Sequence, residues 1–129
     1  EERVQAGAHF IVTTPVFDLE RFDVFLQRIA AFRLPILVGV LPLKSARHAE
    51  FLHHEVPGIT IPEAIRRRLH RAQGDEAAEG LRIARELIAA LRPHVAGLHV
   101  IPPAERWDAL PEFLRTCLPQ ERVAESLSA

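Results

Sequence analysis

The chain has little cysteine and no methionine. Cys117 is the single cysteine of 129 residues, which excludes an intrachain disulfide and a cysteine-based zinc site. Charge of either sign is not in excess: 16 Lys and Arg stand against 17 Asp and Glu. Nothing electrostatic therefore points to nucleic acid or an anionic membrane as the main partner. No run here reads as a secretory signal, and none is apolar for long enough to span a membrane, so the expected compartment is the cytoplasm. No serine or cysteine sits in a recognisable nucleophile motif, and no strand is followed by a glycine-rich phosphate turn. The missing methionine also bears on the start. A gene product begins with Met, whereas this chain opens on EERVQAGAHF, which reads as the last turn of a helix and a turn at Gly7. The expectation is the C-terminal part of a longer polypeptide, with ERVAESLSA as a natural frayed end.

What is present is an alternation of two periodicities. HFIVTTPVF, PILVGVLP and AGLHVIPP are short, rich in β-branched residues and bounded by Gly or Pro, as parallel strands covered by helices should be. The expected strands are residues 9–14, 36–41 and 97–101. Between them run helical patterns. After Asp18, a candidate N-cap, Leu19, Phe22, Leu26 and Ile29 form one apolar stripe. Ser45 can cap a helix through Leu52, and Pro62 suits the first turn of the next. Leu81, Ala84, Leu87, Ile88 and Leu91 form a stripe before Pro93, and residues 107–118 make the last helix.

The order reads β-α-β-α-α-β-α, an α/β chain with an extra helix in the second connection. Such units build either an open doubly wound sheet or a closed (β/α)8 barrel. The polar and Pro-marked strand ends, and the absence of a phosphate turn, favour the barrel. A barrel needs about eight strands, so three make a partial TIM barrel. Residues 1–129 are expected to be one portion of a single barrel domain, its open edges and inner face covered by the rest of the barrel or by another chain.

Three stretches carry a family resemblance: AGAHFIVTTPVFD, GVLPLKSARHAEFLHHEVPGITIPE and GLHVIPPAERWD. Together they resemble the C-terminal half of methylenetetrahydrofolate reductases, most of all the reductase portion of proteins that fuse it behind a homocysteine methyltransferase. The resemblance implies strands six to eight of a flavin-dependent barrel that carries FAD. Such an enzyme takes hydride from NAD(P)H and reduces 5,10-methylenetetrahydrofolate, in one-carbon and methionine metabolism. It implies that Val12 and Thr13 touch the cofactor and that Thr14, Leu41, Pro42 and Arg106 touch the folate. It assigns no catalytic acid within this chain, because that group and most FAD contacts would lie on the first five βα units. Two positions depart from the family pattern. Thr14 stands where the family has a glutamine whose amide bonds the pterin; a hydroxyl is shorter and has one donor where the amide has two. Ala46 stands where some relatives place an aromatic residue.

Each candidate has a plainer reading. Thr14 can be β-branched filling at a strand end, with Phe10, Val12 and Thr14 on one face, assigned to the barrel interior. Arg106 can be an exposed charge at the start of a helix. His48, His53 and His54 lack metal-ligand spacing and read as exposed helix residues, so no metal is expected. His99 reads as a buried strand histidine, and RRRLHR, residues 66–71, as a solvated helix face. The alternative to an enzyme is a degenerate, non-catalytic barrel segment that scaffolds or regulates a methyltransferase partner, an idea motivated by Thr14.

Overall fold

The computed structural model describes residues 7–102, 108 and 110–117. Within them the chain runs β1 (Ile11–Pro15), α1 (Leu19–Ile29), β2 (Ile36–Val40), α2 (Ala46–Glu55), α3 (Glu63–Arg71), α4 (Glu76–Leu91), β3 (Gly97–Val100) and α5 (Leu110–Cys117). Short 3-10 turns at Ala30–Phe32 and Arg92–His94 follow α1 and α4. The expected strands are present, and the second connection holds one helix more than the sequence pattern indicated. Gly74, at φ +88°, turns the chain between α3 and α4; a residue with a Cβ resists that left-handed turn.

Asp18 caps α1 as expected, its carboxylate accepting the amides of Glu20 and Arg21. The apolar stripe is only partly buried: Phe22 lies in the core and Leu26 and Ile29 pack against it, but Leu19 is 41% exposed.

The three strands are parallel and lie in chain order, β1-β2-β3. Val12 stands beside Leu37, which stands beside Gly97, and Gly39 stands beside His99. Because side chains alternate across a strand, this register separates two faces. On one, Ile36, Val38 and Val40 of β2 are buried against Leu52, Leu69, Ile83, Leu87 and Leu91 of the helices. Full burial of such aliphatic side chains is worth about 1.5–3 kcal/mol apiece. On the other face, Phe10 is 57% and Val12 47% exposed, and no helix covers it among the described residues.

A doubly wound sheet carries helices on both faces, whereas a barrel wall carries them on the outside alone. Sequential strands covered on one face are the wall of a partial (β/α)8 barrel. The open face is its inner side. Leu37, rather than Val38, belongs to that inner row. On β3, Leu98 and Val100 pair with the helix-side Val38 and Val40 and pack toward the core. Gly97 and His99 hold the inner positions instead. His99 is exposed, not a buried strand histidine, because among the described residues no neighbour stands over this face.

Candidate active-site wall

The C-terminal ends of barrel strands are where chemistry is built, and here they are shaped by two local devices. The first is a bulge in β1. Val12 pairs with Leu37 and Pro15 with Gly39, so three steps on β1 face two on β2. The amide of Gly39 donates to Thr13 Oγ1 at 2.9 Å, and that hydroxyl donates to Thr14 O at 2.8 Å. A side-chain oxygen thus takes the place of a ladder carbonyl, and β1 leans across Gly39. A Cβ at residue 39 would stand 2.8 Å from Thr13 O and 3.0 Å from the Thr14 carbonyl carbon. Glycine is required there by close approach of the neighbouring backbone.

The second device holds the loop between β2 and α2, residues 41–45. Pro42 closes the strand, and Ser45 Oγ accepts the His48 amide at 3.0 Å as the helix cap. His48 Nδ1 accepts the Lys44 amide at 3.2 Å. From α4, Glu76 Oε1 accepts the Ala46 amide at 3.0 Å, adding a second acceptor to a helix end that otherwise leaves its first amides unpaired. Below the loop lies Gly80, where a Cβ would stand 1.8 Å from Leu43 O. α4 is therefore seated directly against the loop backbone.

The predicted site residues fall as follows. Val12 and Thr14 are exposed on the inner face, and among the described residues the Thr14 hydroxyl makes no hydrogen bond. Thr13 is half-buried, its hydroxyl engaged in the bulge. Leu41 is half-buried against the core and Pro42 is buried. Arg106 lies outside the described residues. A groove of about 420 Å³ runs along the free edge of β1, lined by Val12, Thr14 and Phe17 on the strand side and by Arg21, Phe25 and Thr60 opposite.

The histidines do work that the sequence reading assigned to solvent. His48 is half-buried, and burial, helped by the Lys44 cation, pushes its pKa down. His53 Nδ1 accepts the Ile61 amide at 3.0 Å. Its pKa is also lowered, by desolvation first and then by Arg66 and His54. His54 is exposed as expected and, with His70 and Arg66, meets the Glu50 carboxylate. The basic run is not simply a solvated face. Arg66 bonds Ile61 O as well as Glu50, and Arg68 bridges to Glu79 and Glu86 on α4. Among the described residues no group of His, Cys, Asp and Glu has the geometry of a metal site, and none of the helices is long and apolar enough to cross a membrane.

Residues the sequence reading missed are Gly39, His48, Glu76, Gly80 and His99. A glycine inside a strand is a usable sign of a bulge or close approach, so Gly39 carried a signal. Glu76 and Gly80 carried none, since their targets lie far away in sequence.

The family model for methylenetetrahydrofolate reductase matches residues 1–103. The chain belongs to the methylenetetrahydrofolate reductase family. The match spans all three strands, both loop devices and the inner face, and ends before α5. No curated protein matches the chain. Family membership accounts for the one-sided helix cover: a reductase barrel keeps its inner, strand-end surface for ligands.

Proposed function

We propose that this chain forms strands six to eight of an FAD-dependent 5,10-methylenetetrahydrofolate reductase, acting in the cytoplasm in one-carbon and methionine metabolism. The family match supports the reaction class. The observation that carries the assignment to this surface is the open inner face, on which Val12, Thr14 and His99 are exposed. Gly97 adds no side chain there, and Leu37 Cδ2 fills the space beside it, 2.8 Å from where a Cβ would stand. Val12 and Leu37 complete a low apolar floor. Such a floor suits one side of a planar ring system, with Thr14 and His99 as polar groups beside it. Bound FAD would supply the hydride relay between NAD(P)H and the folate.

The chain's own residues would bind and orient. Val12 and the Thr13 backbone would meet the cofactor, while Thr14, Leu41, Pro42 and Arg106 would bound the folate. Leu41 and Pro42 would act through the position of their loop, which the contacts from Ser45, His48, Glu76 and Gly80 hold in one conformation. The exposed Phe10, Val12, Leu19 and Val24 lie along β1 and α1, the flank on which an N-terminal barrel half, or another chain, would dock.

The test is the flavin absorbance of the assembled protein, followed by anaerobic reduction with NAD(P)H and reoxidation by 5,10-methylenetetrahydrofolate. A colourless protein that takes up no FAD would end this reading. The degenerate-barrel alternative draws on Thr14 alone: flavin reduction without reoxidation by folate is its signature.

A further inference from the structure

His48 occupies the third position of α2, where capping-box residues reach back to satisfy amides ahead of the helix. Ser45 Oγ accepts the His48 amide, and the His48 ring in return accepts the amide of Lys44, one residue before the cap. A ring nitrogen that accepts an N–H must carry a lone pair, so the contact exists only for the neutral imidazole. Three surroundings favour that neutral form: partial burial, the Lys44 cation on the same loop, and the positive end of α2. Among the described residues, the charged groups set against this end of α2 are Lys44 on the loop and Glu76 on α4. The Glu76 carboxylate is bonded to the Ala46 amide. On α2 itself, Arg47 is exposed and Glu50 is engaged by Arg66, His54 and His70.

We propose that His48 is a positioning residue for the folate side of the site: its neutral ring fixes the loop that carries Leu41 and Pro42, and protonation releases it. The inference rests on the functional reading above. Its physical content is that the same ring nitrogen cannot both bind a proton and accept the Lys44 amide. Acid therefore replaces an acceptor with a donor facing a donor. The Ser45 and Glu76 contacts and the seating of Leu43 against Gly80 stay in place, so the release loosens the loop from its Lys44 end and does not unfold α2.

Two readouts on the assembled protein test this. The first is hydrogen-exchange protection of the Lys44 amide, corrected for intrinsic exchange, from neutral pH to below the ordinary imidazole value of about 6.5. Wild type should lose about tenfold in protection, the scale of one net hydrogen bond. His48→Asn, whose amide oxygen takes the place of Nδ1 and accepts at every pH, should keep it. His48→Ala should lack it throughout. The second is the KM for folate, which should rise in wild type as protection falls, stay level in His48→Asn, and leave NAD(P)H-driven flavin reduction unchanged in both. Protection in His48→Ala equal to wild type, or a pH-independent wild type, overturns the proposal while leaving the site reading intact. Protection that follows His48 with a folate KM that does not overturns the positioning role. A wild type that binds no folate at any pH, with protection still tracking His48, sinks the reading of the site and the positioning role with it.

Discussion

The amide of Gly39 is hydrogen-bonded to the hydroxyl of Thr13 at 2.9 Å, across the point where β1 bulges against β2. Each residue is needed for what the other allows. Gly39→Ala would put a Cβ 2.8 Å from Thr13 O, and overpacking of this kind costs about 1–3 kcal/mol. Thr13→Val keeps the shape and removes the acceptor, leaving a buried amide unpaired at about 1–3 kcal/mol, whereas Thr13→Ser should be close to neutral. Denaturant unfolding of the assembled protein gives the three values. A neutral Gly39→Ala would mean that β1 does not lean on β2 as described.

Thr14 sits beside this bulge, exposed on the inner face. Because its hydroxyl is shorter than the family's amide, Thr14→Gln should tighten folate binding, one added hydrogen bond being worth about 0.5–1.5 kcal/mol. Flavin reduction by NAD(P)H should be nearly unchanged. Titration of folate against both variants decides it, and weaker binding by the glutamine variant would remove Thr14 from the folate contact.

The strands were legible because their apolar runs are short, β-branched and punctuated, and the caps at Asp18 and Ser45 because capping chemistry is local. The inner face of β1 followed from alternation alone. What could not be read was whatever depends on distant residues meeting. The Glu76 contact joins positions 30 apart in sequence, and Gly80 matters only because the Leu43 carbonyl lies over it. His48 and His53 look like surface residues until the backbone amides they accept are located. His99 was misjudged for the opposite reason: a strand histidine is buried only when something covers that face.

The loop clamp can be weakened from its far side. Gly80→Ala would drive a Cβ into Leu43 O, 1.8 Å away before relaxation, so α4 or the loop must move. The expected cost is about 1–3 kcal/mol, with a raised folate KM because the Leu41–Pro42 turn moves too. Glu76→Ala removes one cap of α2 at about 0.5–2 kcal/mol, while Glu76→Gln, which keeps an acceptor, should recover most of it. Equal loss for Ala and Gln would show that charge at the helix end, rather than the hydrogen bond, is what Glu76 provides.

Acid should destabilise the α2–α3 pair through His53. Its folded-state pKa lies below the ordinary imidazole value, so the unfolded chain binds the proton more readily. The sign follows: the contribution is complete above about 6.5 and is lost as pH falls from there through the lowered pKa. His53→Asn keeps an acceptor for the Ile61 amide and should flatten this part of the stability profile, read from thermal melts between pH 7.5 and 5 (about the imidazole range). At lower pH a second loss should follow. The guanidinium of Arg68, aided by Arg82, holds Glu79 below the usual carboxylate range, so the loss begins below about pH 4.3. Glu79→Gln should remove that second step. Identical profiles for wild type and both variants would mean that neither contact is linked to folding.

The inner face sets the last expectation. Phe10 is 57% and Val12 47% exposed on it, and among the described residues β1 and β3 each have one strand neighbour. Unpaired strand edges template pairing with other chains, and contiguous apolar exposure drives association. Leu19 and Val24 extend the apolar flank along α1, exposed by 41% and 49%. Residues 1–129 expressed alone should therefore be insoluble, molten or oligomeric, whatever the strength of the helix-side core. Co-expression with the complementary barrel half should give a soluble complex with a cooperative melt, in which Phe10 and Val12 become protected from solvent. Size-exclusion chromatography with thermal denaturation distinguishes the outcomes. A monodisperse monomer that melts cooperatively by itself would show that the open face needs no cover, and the barrel-wall assignment would then fail at its physical root.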